Sequence, residues 1–255
     1  MEALNSGPKT ILVDLVRHGE SVVNAHGSIV GYNEAELTDL GRSQGRLLGE
    51  YYAKEKICFD VAWHSDLPRT HGTLIQMISA LPRTLHPRRI IPDRRTIERQ
   101  HPEWDGRPHA EVYTAEVRQQ MKELGVHHRP PGGESFSEVR KRMWSWWDDA
   151  IALGKSLPGQ PHIVLVGHGH AICSFVWPIL KTDEAEVWHS PEIRNTSISR
   201  LRWVESQDPI FDFIGQTPHL LASRPPPLVR RVFCSRPLTE TSFLVNHNLP
   251  LTTRL

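Results

Sequence analysis

A chain of 255 residues suits one large domain or a domain with a tail, and its 30 basic against 29 acidic residues leave no overall field to draw in nucleic acid or an anionic membrane. Cys58, Cys173 and Cys234 stand far apart without paired spacing, which argues against a disulfide framework or a zinc cluster and fits a reducing, cytoplasmic setting. No apolar run approaches the roughly 20 residues that span a bilayer, and MEALNSGPKT has neither secretory nor transit-peptide character, so a soluble chain with no membrane partner is expected, with no sign of an oligomer.

In chain order, TILVDLV (10–16) reads as a first strand, rich in β-branched residues and bounded by polar ones. The segment from about Thr38 to Lys54 has helical spacing, with Leu40, Leu47, Leu48 and Tyr51 on one face. DVAWHS (60–65) is a second strand. Ser135 and Glu138 offer a capping box for a long helix whose stripe is Val139, Met143, Trp146 or Trp147, Ala150 and Leu153, and its tryptophans read as core. HIVLVG (162–167) and SISRLRW (197–203) complete the strands. Strands alternating with helices imply an α/β fold, a mainly parallel central sheet with helices on both faces.

Composition changes near Ser223. The last 33 residues hold five prolines and five arginines against one acid, without a sustained period. The expected organisation is an N-terminal extension (1–9), one domain (10–222) and a Pro/Arg-rich C-terminal extension (223–255). PPPLVRR places Leu228 where a P-x-x-P register from Pro225 needs proline, so an SH3 ligand is unsupported.

Several chemistries fail on spacing. LGKS (153–156) ends like a P-loop, but Asp149 stands where its first glycine belongs, and no G-x-G-x-x-G follows a strand, so neither a nucleotide-binding loop nor a dinucleotide cofactor is expected. His168 and His170 lack a partner metal motif, and no metal site is expected. Most of the 15 histidines are expected to be solvated in loops.

Three strands, however, end in chemically capable residues. The first ends in Arg17-His18-Gly19-Glu20, the second in His64-Ser65-Asp66 with Arg69 four residues on, and the third in Gly167-His168-Gly169. Ligands of parallel α/β sheets bind beyond the carboxyl ends of the strands. Two arginines and two histidines at that edge make a grip for phosphate, since guanidinium groups bind its oxygens in pairs and stay charged.

LVRHGES with Asn24, SDLPRT with Thr73, PGGES (131–135), VGHG (166–169), Asn195-Thr196-Ser197 and Thr217-Pro218-His219-Leu220, in that order, resemble the histidine phosphatase superfamily, also called phosphoglycerate mutase-like. The resemblance covers roughly residues 10–222. It implies His18 as nucleophile, with Arg17, Arg69, His168 and Asn24 binding the phosphoryl group, and Glu98 as proton donor and acceptor, with no metal or cofactor required. Here Ile97 stands where the family commonly has arginine and Pro102 where it has glycine, so a different path is expected for the loop, and Glu103 is a rival acid. The short stretch from Glu98 to PPGGES favours a phosphatase of the small cofactor-independent or fructose-2,6-bisphosphatase-like branch over a mutase. The expected substrate is a small phosphorylated metabolite such as a sugar phosphate or bisphosphate, or a broad range of these. Arg107, His109, Arg118, Lys122, His127, His128 and Arg129 are available either to bind a second anion or to form a solvated face. The alternative from another class is a non-catalytic scaffold binding through its tail.

Overall fold

The computed structural model describes residues 7–29, 31, 35–181 and 191–220. The Pro/Arg-rich extension at 223–255 and most of the N-terminal extension lie outside the described residues.

Strand β1 (Thr10–Arg17) leads through the short helix α1 (Val22–Ala25) to α2 (Asp39–Lys54). Then come β2 (Val61–His64), α3 (Pro68–Ser79) and β3 (Arg89–Pro92). The short α4 (His109–Val112) and α5 (Ala115–Leu124) precede α6 (Phe136–Ser156), β4 (His162–Gly167) and α7 (Gly169–Leu180). Strands β5 (Ile198–Val204) and β6 (Ile210–Gln216) close the order. The six strands form one sheet, β3-β2-β4-β1-β5-β6. The β3-β2-β4-β1 portion is parallel, while β5 pairs antiparallel with both β1 and β6.

Period-two alternation divides the core. Val13 and Leu15, Val61 and Trp63, and Ile163 and Leu165 face α6 and α7. Val16, Ala62, Val164 and Val166 face α2 and α3. Helices therefore cover both faces of a mostly parallel sheet, the architecture expected. The capping box of α6 is present, with the Ser135 hydroxyl and Glu138 backbone N–H paired and the Glu138 carboxylate returning to Ser135. Val139, Met143, Trp146 and Ala150 are wholly buried, each apolar side chain larger than alanine contributing about 1.5–3 kcal/mol by leaving water.

The face assigned to α2 needs correction. Leu40 is 54% exposed, and the buried face is Gly41, Gly45, Leu48, Gly49 and Tyr52. Glycines at every fourth position let α2 approach its neighbours closely. A Cβ on Gly41 would stand 2.0 Å from the Glu20 carbonyl oxygen, and one on Gly49 2.1 Å from that of Met77. A hydrophobicity pattern gives such a face no weight, because closeness rather than apolar bulk fills it.

The histidines also depart from expectation. His18, His64, His101, His128, His162 and His168 are buried, while His26, His71, His109 and His127 are exposed.

Candidate active site

The parallel strands deliver their carboxyl ends to one edge. β1 runs into His18, β2 into Ser65 and β4 into His168, with Arg17 paired to Gly167 and His64 to Val166. Beyond β3, a 3₁₀ turn over Arg94–Thr96 leads to Glu98. The helices that follow β2 and β4 start at this edge. Pro68 opens α3, where proline's missing N–H costs nothing, and the first two turns place Arg69, Thr70 and Thr73.

His18 is 2% exposed, and its Nδ1 lies 2.6 Å from the Gly19 carbonyl oxygen. A carbonyl only accepts, so Nδ1 holds the hydrogen and Nε2 keeps its lone pair. Burial, with the Arg69 and Arg17 guanidiniums nearby, holds the imidazole well below its usual range despite that hydrogen bond. A neutral ring with a free Nε2 results. The backbone around it is pinned: Gly19 N–H donates to Thr73 Oγ1 at 2.9 Å, and Asn195 Nδ2 donates to the His18 carbonyl at 2.9 Å. A Cβ at Gly19 would meet the Gly41 carbonyl oxygen at 2.5 Å, so the turn after His18 requires glycine. Thr196 adopts φ 54°, rare for a β-branched residue, and its N–H donates to the Arg17 carbonyl while its hydroxyl meets His219 Nε2 at 2.8 Å.

The His168 ring stands 5.2 Å from that of His18, edge to face, and burial holds it well below its usual range, with Arg69 and His18 adding to the effect. Its Nε2 lies 2.7 Å from Ser65 Oγ, which in turn lies 2.9 Å from Thr70 Oγ1. Arg69 is wholly buried and donates from Nη2 to the Gly31 carbonyl at 2.7 Å. Arg17 donates from Nη1 to the Ile193 carbonyl at 2.8 Å. Arg17 Nε and His168 Nδ1 are buried without a protein partner, as a site that receives an oxyanion would have them. In Asn24, Oδ1 accepts from the Ser21 N–H and hydroxyl to close the α1 capping box. That leaves the Asn24 amide nitrogen as donor.

Glu98 is 6% exposed and caps α7. Its carboxylate accepts the backbone N–H of Ala171 at 3.2 Å, of His170 at 3.3 Å and of Arg99 at 2.8 Å. Burial alone would raise its carboxyl, but His170, the Arg99 N–H, Arg69 and Arg17 outweigh that and hold it below its usual range. His170 is itself pushed down to about 4 by burial, so at neutral pH the N–H donors and guanidiniums keep Glu98 ionised. The loop holds Glu98 in place despite Ile97 and Pro102. Arg142 donates to the carbonyls of Arg95, Ile97 and Glu98, while Ile97 is buried. Glu103 is exposed and does not line the cavity.

A cavity of about 350 Å³ opens on Arg17, His18, Asn24 and Glu98. Arg69 and His168 sit buried behind this lining. Sequence reasoning did not single out His170, Cys173, Phe136, Trp177 or Ile193 as lining. Phe136 opens α6 off the apolar stripe read for that helix, and Cys173 and Trp177 lie in α7, which the sequence analysis did not assign. Among the described residues no helix is long and apolar enough to cross a membrane.

The chain is similar to known proteins in sequence and in fold. The probable phosphoglycerate mutase GpmB of Yersinia pestis (strain Pestoides F) is 30% identical over 215 residues, which cover 82% of this chain and 94% of that one. A native mycobacterial glucosyl-3-phosphoglycerate phosphatase is 25% identical with a TM-score of 0.66, covering 80% of this chain and 98% of that one. A phosphoserine phosphatase of Entamoeba histolytica, solved with 3-phosphoglyceric acid, shares the fold at 21% identity with a TM-score of 0.69, over 83% of this chain and all of that one. Residues 13–212 match the model of the histidine phosphatase superfamily, branch 1, and the chain is an enzyme of that superfamily.

Proposed function

We propose that the protein is a metal-independent phosphomonoester hydrolase that works through a phosphohistidine on His18, with residues 10–222 as its catalytic domain and 223–255 as an extension outside it. The observation that carries this reading is the Nδ1 contact of His18 with the Gly19 carbonyl, which frees Nε2 as a neutral nucleophile at the cavity floor. Nε2 attacks phosphorus, the bond to the leaving oxygen breaks, and Glu98 gives that oxygen a proton. Water then attacks the phosphohistidine, the P–N bond breaks, its electron pair returns to Nε2, and Glu98 takes the water's proton. Arg17, Arg69, His168 and the Asn24 amide hold the phosphoryl oxygens and offset charge that builds in the transition state. These side chains supply the electrostatics, so no step calls for a metal.

The substrate is a small phosphorylated metabolite, which the modest cavity and the small phosphate compounds named for similar structures both support. A mutase is the second reading, favoured by the names of curated relatives such as the Yersinia protein. Hydrolysis of p-nitrophenyl phosphate in EDTA tests the first reading. Wild type is expected to turn over and His18→Ala is not; equal rates for the two would overturn it. Conversion of 3-phosphoglycerate to its isomer faster than phosphate release, in the presence of 2,3-bisphosphoglycerate, would establish the mutase instead.

A further inference from the structure

His170 lines the cavity but takes no part in the steps on His18 and Glu98. The first turn of α7 ties it to the acid. Glu98 accepts the backbone N–H groups of His170 and Ala171, and the His170 ring lies with Nδ1 3.8 Å from Glu98 Oε1. Phe136 and His101 stand edge to face with this ring at 5.4 and 6.4 Å and limit its rotation. Nδ1 is buried and has no hydrogen-bond partner among the described residues, yet the side chain as a whole is 41% exposed. The open edge of the ring is therefore the one that carries Nε2.

A carboxylate 3.8 Å away attracts a hydrogen, so a neutral ring holds its proton on Nδ1 and its lone pair on Nε2. The ring is neutral at working pH. Burial brings the imidazole down to about 4, with Arg99, His101 and Arg17 adding to the effect and Glu98 opposing it. Nε2 thus meets the cavity as a hydrogen-bond acceptor.

The two oxygens of Glu98 are not equivalent. Oε1 accepts from the Arg99 N–H at 2.8 Å and the Ala171 N–H at 3.2 Å, whereas Oε2 accepts only the His170 N–H at 3.3 Å. A carboxylate oxygen has about two acceptor positions, so Oε2 is the one with room for a proton. Attack and departure at phosphorus are in line, so the water that hydrolyses a phosphohistidine enters where the leaving oxygen left, beside Glu98. His170 flanks that same place, since the Arg17 guanidinium lies alongside Gly169, its chain neighbour.

We propose that His170 is a catalytic residue of the second half-reaction: its Nε2 accepts one hydrogen of the attacking water while Glu98 Oε2 takes the other as a proton. This deepens the hydrolase reading above and rests on it. Two acceptors fix the orientation of a water and aim its lone pair at phosphorus, where a single acceptor leaves it free to turn. The hydrogen held by His170 stays with the oxygen and leaves in the product phosphate. Formation of the phosphohistidine uses no such water, so the first half-reaction does not need His170.

With p-nitrophenyl phosphate, nitrophenolate departs as His18 is phosphorylated and phosphate departs only on hydrolysis, so rapid mixing separates the two halves. His170→Phe is expected to release nitrophenolate in a burst and then to hydrolyse the phosphohistidine at least about tenfold more slowly than wild type. Its kcat/KM, which ends with nitrophenolate departure, should stay within about twofold of wild type. A hydrolysis step that is not slowed, or a kcat/KM that falls as far as hydrolysis does, overturns the inference. The pair His170→Gln and His170→Asn gives an independent reading, because a glutamine amide reaches the place of Nε2 and an asparagine amide only that of Nδ1. His170→Gln should hydrolyse the phosphohistidine within about threefold of wild type and His170→Asn should be as slow as His170→Phe; equal rates for Gln and Asn overturn the acceptor role. The hydrolase reading stands through all of these outcomes and falls instead if wild type and His18→Ala release nitrophenolate equally fast.

Discussion

The Nδ1–H of His18 donates to the carbonyl of its own neighbour Gly19, and this one short contact fixes which ring nitrogen can act. Phosphorylation is therefore expected on Nε2. Phosphorus NMR of the intermediate trapped under alkaline conditions distinguishes the two isomers, and phosphate on Nδ1 would sink the assignment. Burial and two guanidiniums depress the ring's pKa, so protonation of His18 should not limit the rate at pH 6.

Glu98 is held below the usual carboxyl range by N–H donors and arginines, so in the free enzyme its protonated form is scarce at neutral pH. An alkyl leaving group needs that proton and a nitrophenolate hardly does. The ratio of kcat/KM for benzyl phosphate to that for p-nitrophenyl phosphate should therefore fall as pH rises from 5 to 8. In Glu98→Gln the ratio should be flat, with alkyl turnover reduced about 10²–10³-fold. A pH-independent ratio in wild type would exclude Glu98 as the acid.

The strand ends were legible because β-branched runs stopping at Arg17-His18, His64-Ser65 and Gly167-His168 carry both the period and the chemistry. Helix α7 was not assigned: it is apolar nearly all round, as a fully buried helix is, and Pro178 interrupts its end. The position of Phe136 and Trp177, buried on Val126 beside the cavity, was invisible for a related reason. Whether a buried aromatic faces a core or a cavity depends on how α6 and α7 meet the sheet edge, which no local pattern encodes. His162 escaped notice likewise, since Asp14, the partner that satisfies its ring, lies far along the chain.

That Asp14 pair belongs to a larger network under the sheet. The wholly buried carboxylate accepts from Arg200 at 2.7 and 2.9 Å, from the Tyr52 hydroxyl at 3.0 Å and meets His162 Nε2 at 3.1 Å. Burial opposes ionisation, but the hydrogen bonds from Arg200 and His162 win and lower its pKa. A depressed carboxyl pKa stabilises the fold above the unfolded value of about 3.9, and that stabilisation is lost as pH falls through the folded value. Asp14→Asn should cost about 3–5 kcal/mol at pH 7 by stranding Arg200, and the gap from wild type should shrink below pH 4. Urea unfolding at both pH values measures it; a gap independent of pH would show that packing, not charge, sets the cost.

Gly49 offers a test of the close approach between α2 and α3. Alanine is the better helix former by about 1 kcal/mol, so propensity alone predicts that Gly49→Ala stabilises the protein. The geometry predicts the reverse, because the new methyl would stand 2.1 Å from the Met77 carbonyl oxygen and 2.9 Å from the Ala80 Cβ. Rigid backbone cannot step aside as a side-chain tip can, so α2 must move off α3 and disturb the packing of Leu48 and Tyr52 against Leu74 and Met77. The overpacking cost of about 1–3 kcal/mol exceeds the propensity gain over most of that range. Thermal unfolding should show a lower Tm for Gly49→Ala, while Ser43→Ala, on the less buried side of the same helix, should leave it nearly unchanged. A Tm at or above wild type for Gly49→Ala would mean that the two helices have slack the structure does not show.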